Sequence, residues 1–340
     1  MPPLFDTEVF SRVGIVGSPQ SAVHDDSKRM ALILCHSLHC SLTAPAASLP
    51  SIKSSRPKIS AISSMEQHND GSRKFIEFPF VSAPHKDLMV GLVSTVENRL
   101  GSQLHTCTLP LDVQHYQNPS GSAQASLYIR SGIEPSLVDF ILGSWIHCDL
   151  PTGGALNITS LSAYLSASTD APNFLFELIR SSPTSVVLIV DLPPRKDLVL
   201  YPDYLQTFYE NTQLESRRQS LAKLPEVQPY FSSSLYIRCL SSPTAIMVRI
   251  ETKAGQPERM EEIIKDHVDP IAKEVLGIWL DQCACGKREV GETEKACLEK
   301  RDKLIKSQTV EIDIGSSFPR LFGPEVAERV VGVIREFYGV

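Results

Sequence analysis

Between Ser126 and Leu192 the chain reads as a run of β-like segments with little room between them. SLYIR (126–130), LVDFILGSWIHC (137–148), ALNITSLSAYL (155–165), NFLFELIR (173–180) and SVVLIVDL (185–192) are rich in β-branched and aromatic residues. Turn-like links such as PTGG (151–154) and STDAP (168–172) separate them. A parallel crossover needs about a dozen residues or more, so links this short join antiparallel neighbours. Two more strands are predicted at LYIRCL (235–240) and AIMVRIET (245–252), after a helical insertion around 202–223.

Helical spacing brackets the strands. Pro84 suits the first turn of a helix running from about His85 to Leu100, striped by Leu88, Met89, Leu92, Val93 and Val96. Met260, Ile263, Ile264, Val268, Ile271, Val275, Leu276 and Trp279 recur at helical spacing within 257–282. A charged, solvated helix is predicted over 290–306, and Pro324 starts a last one with Val326, Val330, Val331, Ile334 and Phe337 inward. Helices before, within and after the strands predict a central antiparallel sheet covered by helices on both faces. No linker or internal repeat divides the chain after Lys74, so residues 66–340 are expected to form a single domain.

The first 65 residues are different. No acidic residue lies between Asp26 and Glu66, while that window holds ten serines and the bases Lys28, Arg29, Lys53, Arg56 and Lys58. Such composition reads as an organelle transit peptide over residues 1–65, with a merely disordered tail as the alternative. Met30 is a possible start, because Asp6, Glu8, Asp25 and Asp26 fit a transit peptide poorly. The remainder carries 27 bases and 35 acids, a net of -8, which argues against nucleic acid as a partner. The eight cysteines follow neither a zinc nor an iron–sulfur spacing and read as free thiols. No G-x-G-x-x-G opens a helix after a strand, and neither a P-loop nor a G-x-S-x-G elbow is present. The sequence thus shows no site for a nicotinamide, a flavin or a metal; electrons for any redox chemistry come from outside.

Candidate chemistry lies in carboxyls at odd places. In NFLFELIR, Phe174, Phe176 and Leu178 share one face, and Glu177 sits between Leu175 and Ile179 on the other. A carboxyl there either pairs with an arginine, faces a cavity, or keeps its proton and can donate it. In QTVEIDIGSSFPRLFG (308–323), read as extended, Glu311, Asp313 and Gly315 share a side, and pattern alone makes Asp313 a surface-strand residue. Asp191, before two prolines and Arg195, reads as an exposed strand end in a turn or cap. His147, among Trp145, Ile146 and Cys148, reads as a satisfied core histidine, with proton relay as the alternative.

Longer stretches carry a resemblance. KFIEFPFVSAPHKDLM (74–89), STVENRLGSQL (94–104), LGSWIHCDLPTG (142–153), APNFLFELI (171–179), DLVLYPDYL (197–205), RRQSLAKLPEVQPY (217–230), SPTA (242–245) and FPRLFG (318–323) resemble the red chlorophyll catabolite reductases of plant chlorophyll breakdown. The resemblance implies an α/β/α sandwich similar to the ferredoxin-dependent bilin reductases. It implies a chloroplast stromal enzyme without a bound redox cofactor, which takes single electrons from reduced ferredoxin. The substrate is then the red linear tetrapyrrole, reduced at its C20/C1 methine double bond to the primary fluorescent catabolite. Glu177 and Asp313 fall on the family's two proton-donating carboxyls, which reverses the surface reading of Asp313. Ser241, just before SPTA, aligns with a position implicated in which face of the substrate is protonated. A homodimer is implied, with other chlorophyll-breakdown enzymes as further partners. Two alternatives remain: a non-catalytic tetrapyrrole carrier and a reductase of another bilin.

Arg238, Arg320 and His147 are candidates for substrate binding. Ferredoxin is acidic, and so is this chain, so docking requires a local basic patch. Arg217, Arg218 and Lys223 are one candidate cluster, and Arg195 with Lys196 is another.

Overall fold

The computed structural model describes residues 75–151, 153–286, 288 and 290–340, the side chain of Asp313 excepted. The expected targeting segment, residues 1–65, lies outside the described residues. The strands are β1 (His115–Gln117), β2 (Ala123–Ser131), β3 (Val138–Asp149), β4 (Ala155–Leu165), β5 (Phe174–Ser182), β6 (Ser185–Asp191), β7 (Val227–Pro229) and β8 (Ile246–Glu251). They form a single sheet in the order β1-β2-β3-β4-β5-β6-β8-β7. Every pairing is antiparallel, as the short links require. The helices are α1 (Ala83–Leu100), α2 (Leu111–Gln114), α3 (Pro202–Leu205), α4 (Leu214–Ala222), α5 (Leu235–Leu240), α6 (Pro257–Ile263), α7 (Asp269–Trp279), α8 (Glu292–Thr309), α9 (Gly315–Phe322) and α10 (Pro324–Tyr338).

The alternation in β5 assigns its two faces to different layers. Phe174, Phe176 and Leu178 meet α1 and α7: Trp279 lies 5.8 Å from Phe174 between ring centroids and donates its indole N–H to the Pro172 carbonyl at 3.0 Å. His85 of α1 reaches the same face, where its Nε2 lies 2.7 Å from the hydroxyl of Thr159, the cross-strand partner of Leu178. Burial pushes the His85 imidazole down to about 3, so it sits neutral in this layer.

Leu175, Glu177 and Ile179 face the opposite layer, built from α5, α8, α9 and α10. Register carries that face across the sheet from Ile179 through Ile158, Ile146 and Ala125 to Tyr116. Phe318 and Phe322 of α9 pack on Tyr116 with centroids 6.1 and 4.9 Å away, and Tyr338 of α10 packs on Phe140 at 5.4 Å. The sandwich expected from the order of elements is present.

Two segments differ from the sequence reading. LYIRCL (235–240) is the helix α5, not a strand. The Ser234 hydroxyl caps it by accepting the Ile237 N–H at 3.4 Å, and a six-residue apolar run is compatible with either state until its cap decides. The stretch 308–323 is also helical: α8 continues through a wide turn, Val310–Ile314, into α9, which ends at Gly323 with φ 83°. Val310, Ile314, Phe318 and Phe322 are all buried, and their four-residue spacing is helical. β-branched content favoured a strand, and burial of that stripe overrode it. The short edge strands β1 and β7 were not anticipated.

Candidate active site

A cavity of about 100 Å³ opens between the sheet and the helices α5 and α8. Its floor is the face of β4, β5, β6 and β8 that carries Ser162, Leu175, Ile189 and Met247. α5 contributes Ile237 and Leu240, and α8 contributes Ile305 and Thr309, so most of the wall is apolar. Ile237 and Leu240 on α5, and Ile305 and Thr309 on α8, reach one wall because three- and four-residue spacings share a helix face.

Glu177 belongs to this face. It pairs across the sheet with Ser160 on one side and Ile189 on the other, and Ile189 pairs with Met247. The side chain of Glu177 is fully buried at 0% exposure, on the side of β5 that Leu175 presents to the cavity. Tyr230 extends the same row, its N–H donating to the Met247 carbonyl at 2.9 Å. Burial, then the nearby Glu177 carboxyl, pushes the Tyr230 phenol up to about 12, so it remains a hydroxyl at neutral pH.

Asp191 is the main correction. It is not an exposed turn residue: at 5% exposure it forms part of the cavity wall, paired across the sheet with Leu175. The Ser242 N–H donates to its Oδ2 at 3.0 Å and the Ser242 hydroxyl to its Oδ1 at 2.5 Å. Burial pushes the carboxyl up to about 6, against the lowering effect of the Ser242 bonds. Fifty-one residues separate the partners, so no local pattern announces the contact.

Ser241 lies in the cavity wall beside Asp191, with its hydroxyl on the Ile237 carbonyl at 3.1 Å and near the Met247 sulfur at 3.4 Å. Asp313 falls in the Val310–Ile314 turn that joins α8 to α9; its side chain lies outside the described residues. Arg238 and Arg320 are exposed, on α5 and α9. His147 belongs to the opposite face, stacked on Phe80 at 3.9 Å with Nδ1 2.8 Å from the Asn157 carboxamide oxygen. Its Nε2 lies 3.4 Å from Asp149 Oδ1, and His147 is half-buried on the side away from Glu177.

The two basic clusters have different fates. Arg195 is buried at 1% exposure, forms an ion pair with Asp302 of α8, and donates to the carbonyls of Ser166 and Thr169 at 3.1 and 2.7 Å. Lys196 is paired with Asp170 and Glu294. These two residues hold α8 against the end of β6 and offer no docking surface; the sequence signal, two bases after prolines, reports a tie rather than a patch. Arg217 and Arg218 lie on half-exposed α4 with Lys223 just beyond, and they pair with Glu274 at 2.6 Å and Glu215 at 2.5 Å.

With the site in view, comparison with known proteins is specific. The family model for red chlorophyll catabolite reductase (RCC reductase) matches residues 84–336. The chloroplastic red chlorophyll catabolite reductase of Arabidopsis thaliana is 54% identical over 92% of this chain and 100% of its own length. A chloroplastic relative of the same name from Oryza sativa subsp. japonica is 42% identical over 76% of this chain and 79% of its length. Among solved structures, tomato phytochromobilin synthase in complex with biliverdin has the same fold, with a TM-score of 0.52 at 14% identity, covering 73% of this chain and 82% of that one. Sequence and fold agree, and this chain belongs to the red chlorophyll catabolite reductase family.

Proposed function

We propose that the chain reduces red chlorophyll catabolite, a linear tetrapyrrole, in the chloroplast. The observation that carries this reading is Glu177, a fully buried carboxyl on the cavity face of the central sheet, in a chain of this family. Reduced ferredoxin supplies electrons one at a time to the C20/C1 methine bond, and Glu177 and Asp313 supply protons. Each electron makes the pigment more basic, and a nearby carboxylic acid quenches the charge, so two electrons draw two protons. A mostly apolar wall suits the pigment's flat conjugated body and keeps bulk water from competing for the developing anion. Ser241, in the cavity wall, restricts the face that is protonated. The leading residues, 1–65, serve as the chloroplast address, and residues 66–340 act as the catalytic domain.

Ferredoxin docks near α4 through Arg217, Arg218 and Lys223, which predicts a salt-sensitive reaction. The exposed apolar side chains Val199, Leu200, Phe231 and Leu235 support a homodimer, which sedimentation at several concentrations checks. The function itself is tested anaerobically, with reduced ferredoxin and red catabolite. Glu177→Gln keeps pigment binding and loses most turnover; turnover at the wild-type rate makes Glu177 structural. Wild-type protein that binds pigment without reducing it is a carrier, and preferential reduction of biliverdin in a parallel reaction identifies a different bilin reductase.

A further inference from the structure

Asp191 has no part in the chemistry described so far, yet it stands in the cavity wall. It lies diagonally from Glu177 on the same face of the neighbouring strand, a separation of about 7–8 Å in an antiparallel pair. Its Oδ1 accepts the Ser242 hydroxyl at 2.5 Å, and that hydroxyl lies 3.2 Å from the Thr244 hydroxyl. Ser242 is buried at 6% exposure, whereas Thr244 is half-exposed. Three exchangeable groups therefore run in hydrogen-bond contact from the surface to the cavity.

We propose that Thr244, Ser242 and Asp191 form a proton inlet that recharges the cavity during turnover. The proposal rests on the reductase reading above. A reductase that consumes two protons per pigment in a space covered by helices must draw them from solvent. Thr244 takes a proton from water and passes its own to the Ser242 oxygen; Ser242 passes its own to Asp191 Oδ1; both hydroxyls then rotate back. One proton leaves solvent, the carboxylate becomes a carboxylic acid, and no electron moves. The groups around Asp191 fit this role. Glu177 stands on β5, and Tyr209 bonds the adjacent Leu192 carbonyl at 2.8 Å. The Arg195 guanidinium, four residues on, is committed to Asp302 on α8. β8 and α5 bring only Met247, Ile237 and Leu240 to this part of the wall, alongside Ser241. Among the described residues no cation is paired with the Asp191 carboxyl, and its value of about 6 lets it take and release a proton near neutrality.

The test uses full-length Ser242→Ala, Thr244→Val, Thr244→Ser and Asp191→Asn. Above pH 7, where protons are scarce, Ser242→Ala and Thr244→Val should lower kcat about ten-fold with KM unchanged, and Thr244→Ser should restore it. Wild-type kcat across the pH range in both hydroxyl-deleted variants overturns the inlet. A second measurement needs no turnover: infrared titration of the pigment-free protein should show a carboxyl that titrates near pH 6, is absent in Asp191→Asn, and shifts upward in Ser242→Ala. Without that signal the inlet fails even if the wild type reduces pigment. With it, a wild type that never reduces pigment refutes the reductase reading while the hydroxyl–carboxyl contact stands.

Discussion

Asp191→Asn makes a sharp test of how the cavity is built, because the substitution keeps the size and an acceptor for the Ser242 N–H while removing the titrating group. Unfolded, Asp191 is an ordinary carboxyl of 3.8; folded, burial raises it to about 6. Between those values the native carboxyl holds a proton that the unfolded chain has released, so stability falls as pH rises through that window. The shift is just over two units; at about 1.4 kcal/mol per unit the cost reaches about 3 kcal/mol above pH 6 and vanishes below pH 4. Asparagine has no such titration, and its carboxamide still accepts the Ser242 N–H. The stability of Asp191→Asn relative to wild type should therefore rise by about 3 kcal/mol between pH 4 and pH 7. In a domain of this size that corresponds to roughly 6–12 °C in Tm. Urea titrations of both proteins at half-unit pH intervals measure the difference, in which every other titrating group cancels. A difference that stays flat with pH would falsify the claim that Asp191 is buried without a compensating cation. The expected result also exposes a trade of stability for an acid in the cavity.

Other outcomes follow from the same geometry. Arg195→Met leaves Asp302 and several carbonyls without their donor and should cost about 3–5 kcal/mol in urea unfolding, while a matched Asp302→Leu partner should recover part of it. Gly132→Ala places a methyl 1.9 Å from the Val138 carbonyl oxygen, where the β3–β4 ladder is irregular, and should cost about 3 kcal/mol or abolish soluble expression. His85 is held near 3 against an unfolded 6.5, so stability is lost as pH falls below 6.5; His85→Gln should flatten that limb of the urea midpoint profile. Arg217→Glu with Arg218→Glu should raise the apparent KM for ferredoxin at low salt, and an unchanged KM removes α4 from the docking face.

Much of the fold was legible in the chain. Alternation in β5 placed Glu177 opposite Phe174, Phe176 and Leu178, and the structure keeps those faces. The short links dictated antiparallel order, and the stripe from Met260 to Trp279 dictated a helical layer. All of these are local properties: period, link length and turn chemistry act within a few residues. The misreadings fell where a short segment satisfies two periods. LYIRCL and VEIDI are strand-like in composition; the Ser234 cap and a wall that takes Ile237 with Leu240 make the first a helix, and burial of the stripe Val310, Ile314, Phe318 and Phe322 makes the second one.

The site divides in the same way. The chain by itself determined that a carboxyl would interrupt an apolar strand, because burial on both faces of β5 follows from its own pattern. Only the tertiary structure decided that Asp191 joins it, that Arg195 is a tie to α8, and that His147 stands on the far side of the sheet. Each of these depends on a partner dozens of residues away, such as Ser242 for Asp191 and Asp302 for Arg195. A group's charge state is set by burial and by what lies within hydrogen-bond reach, and packing, not local sequence, brings those neighbours together.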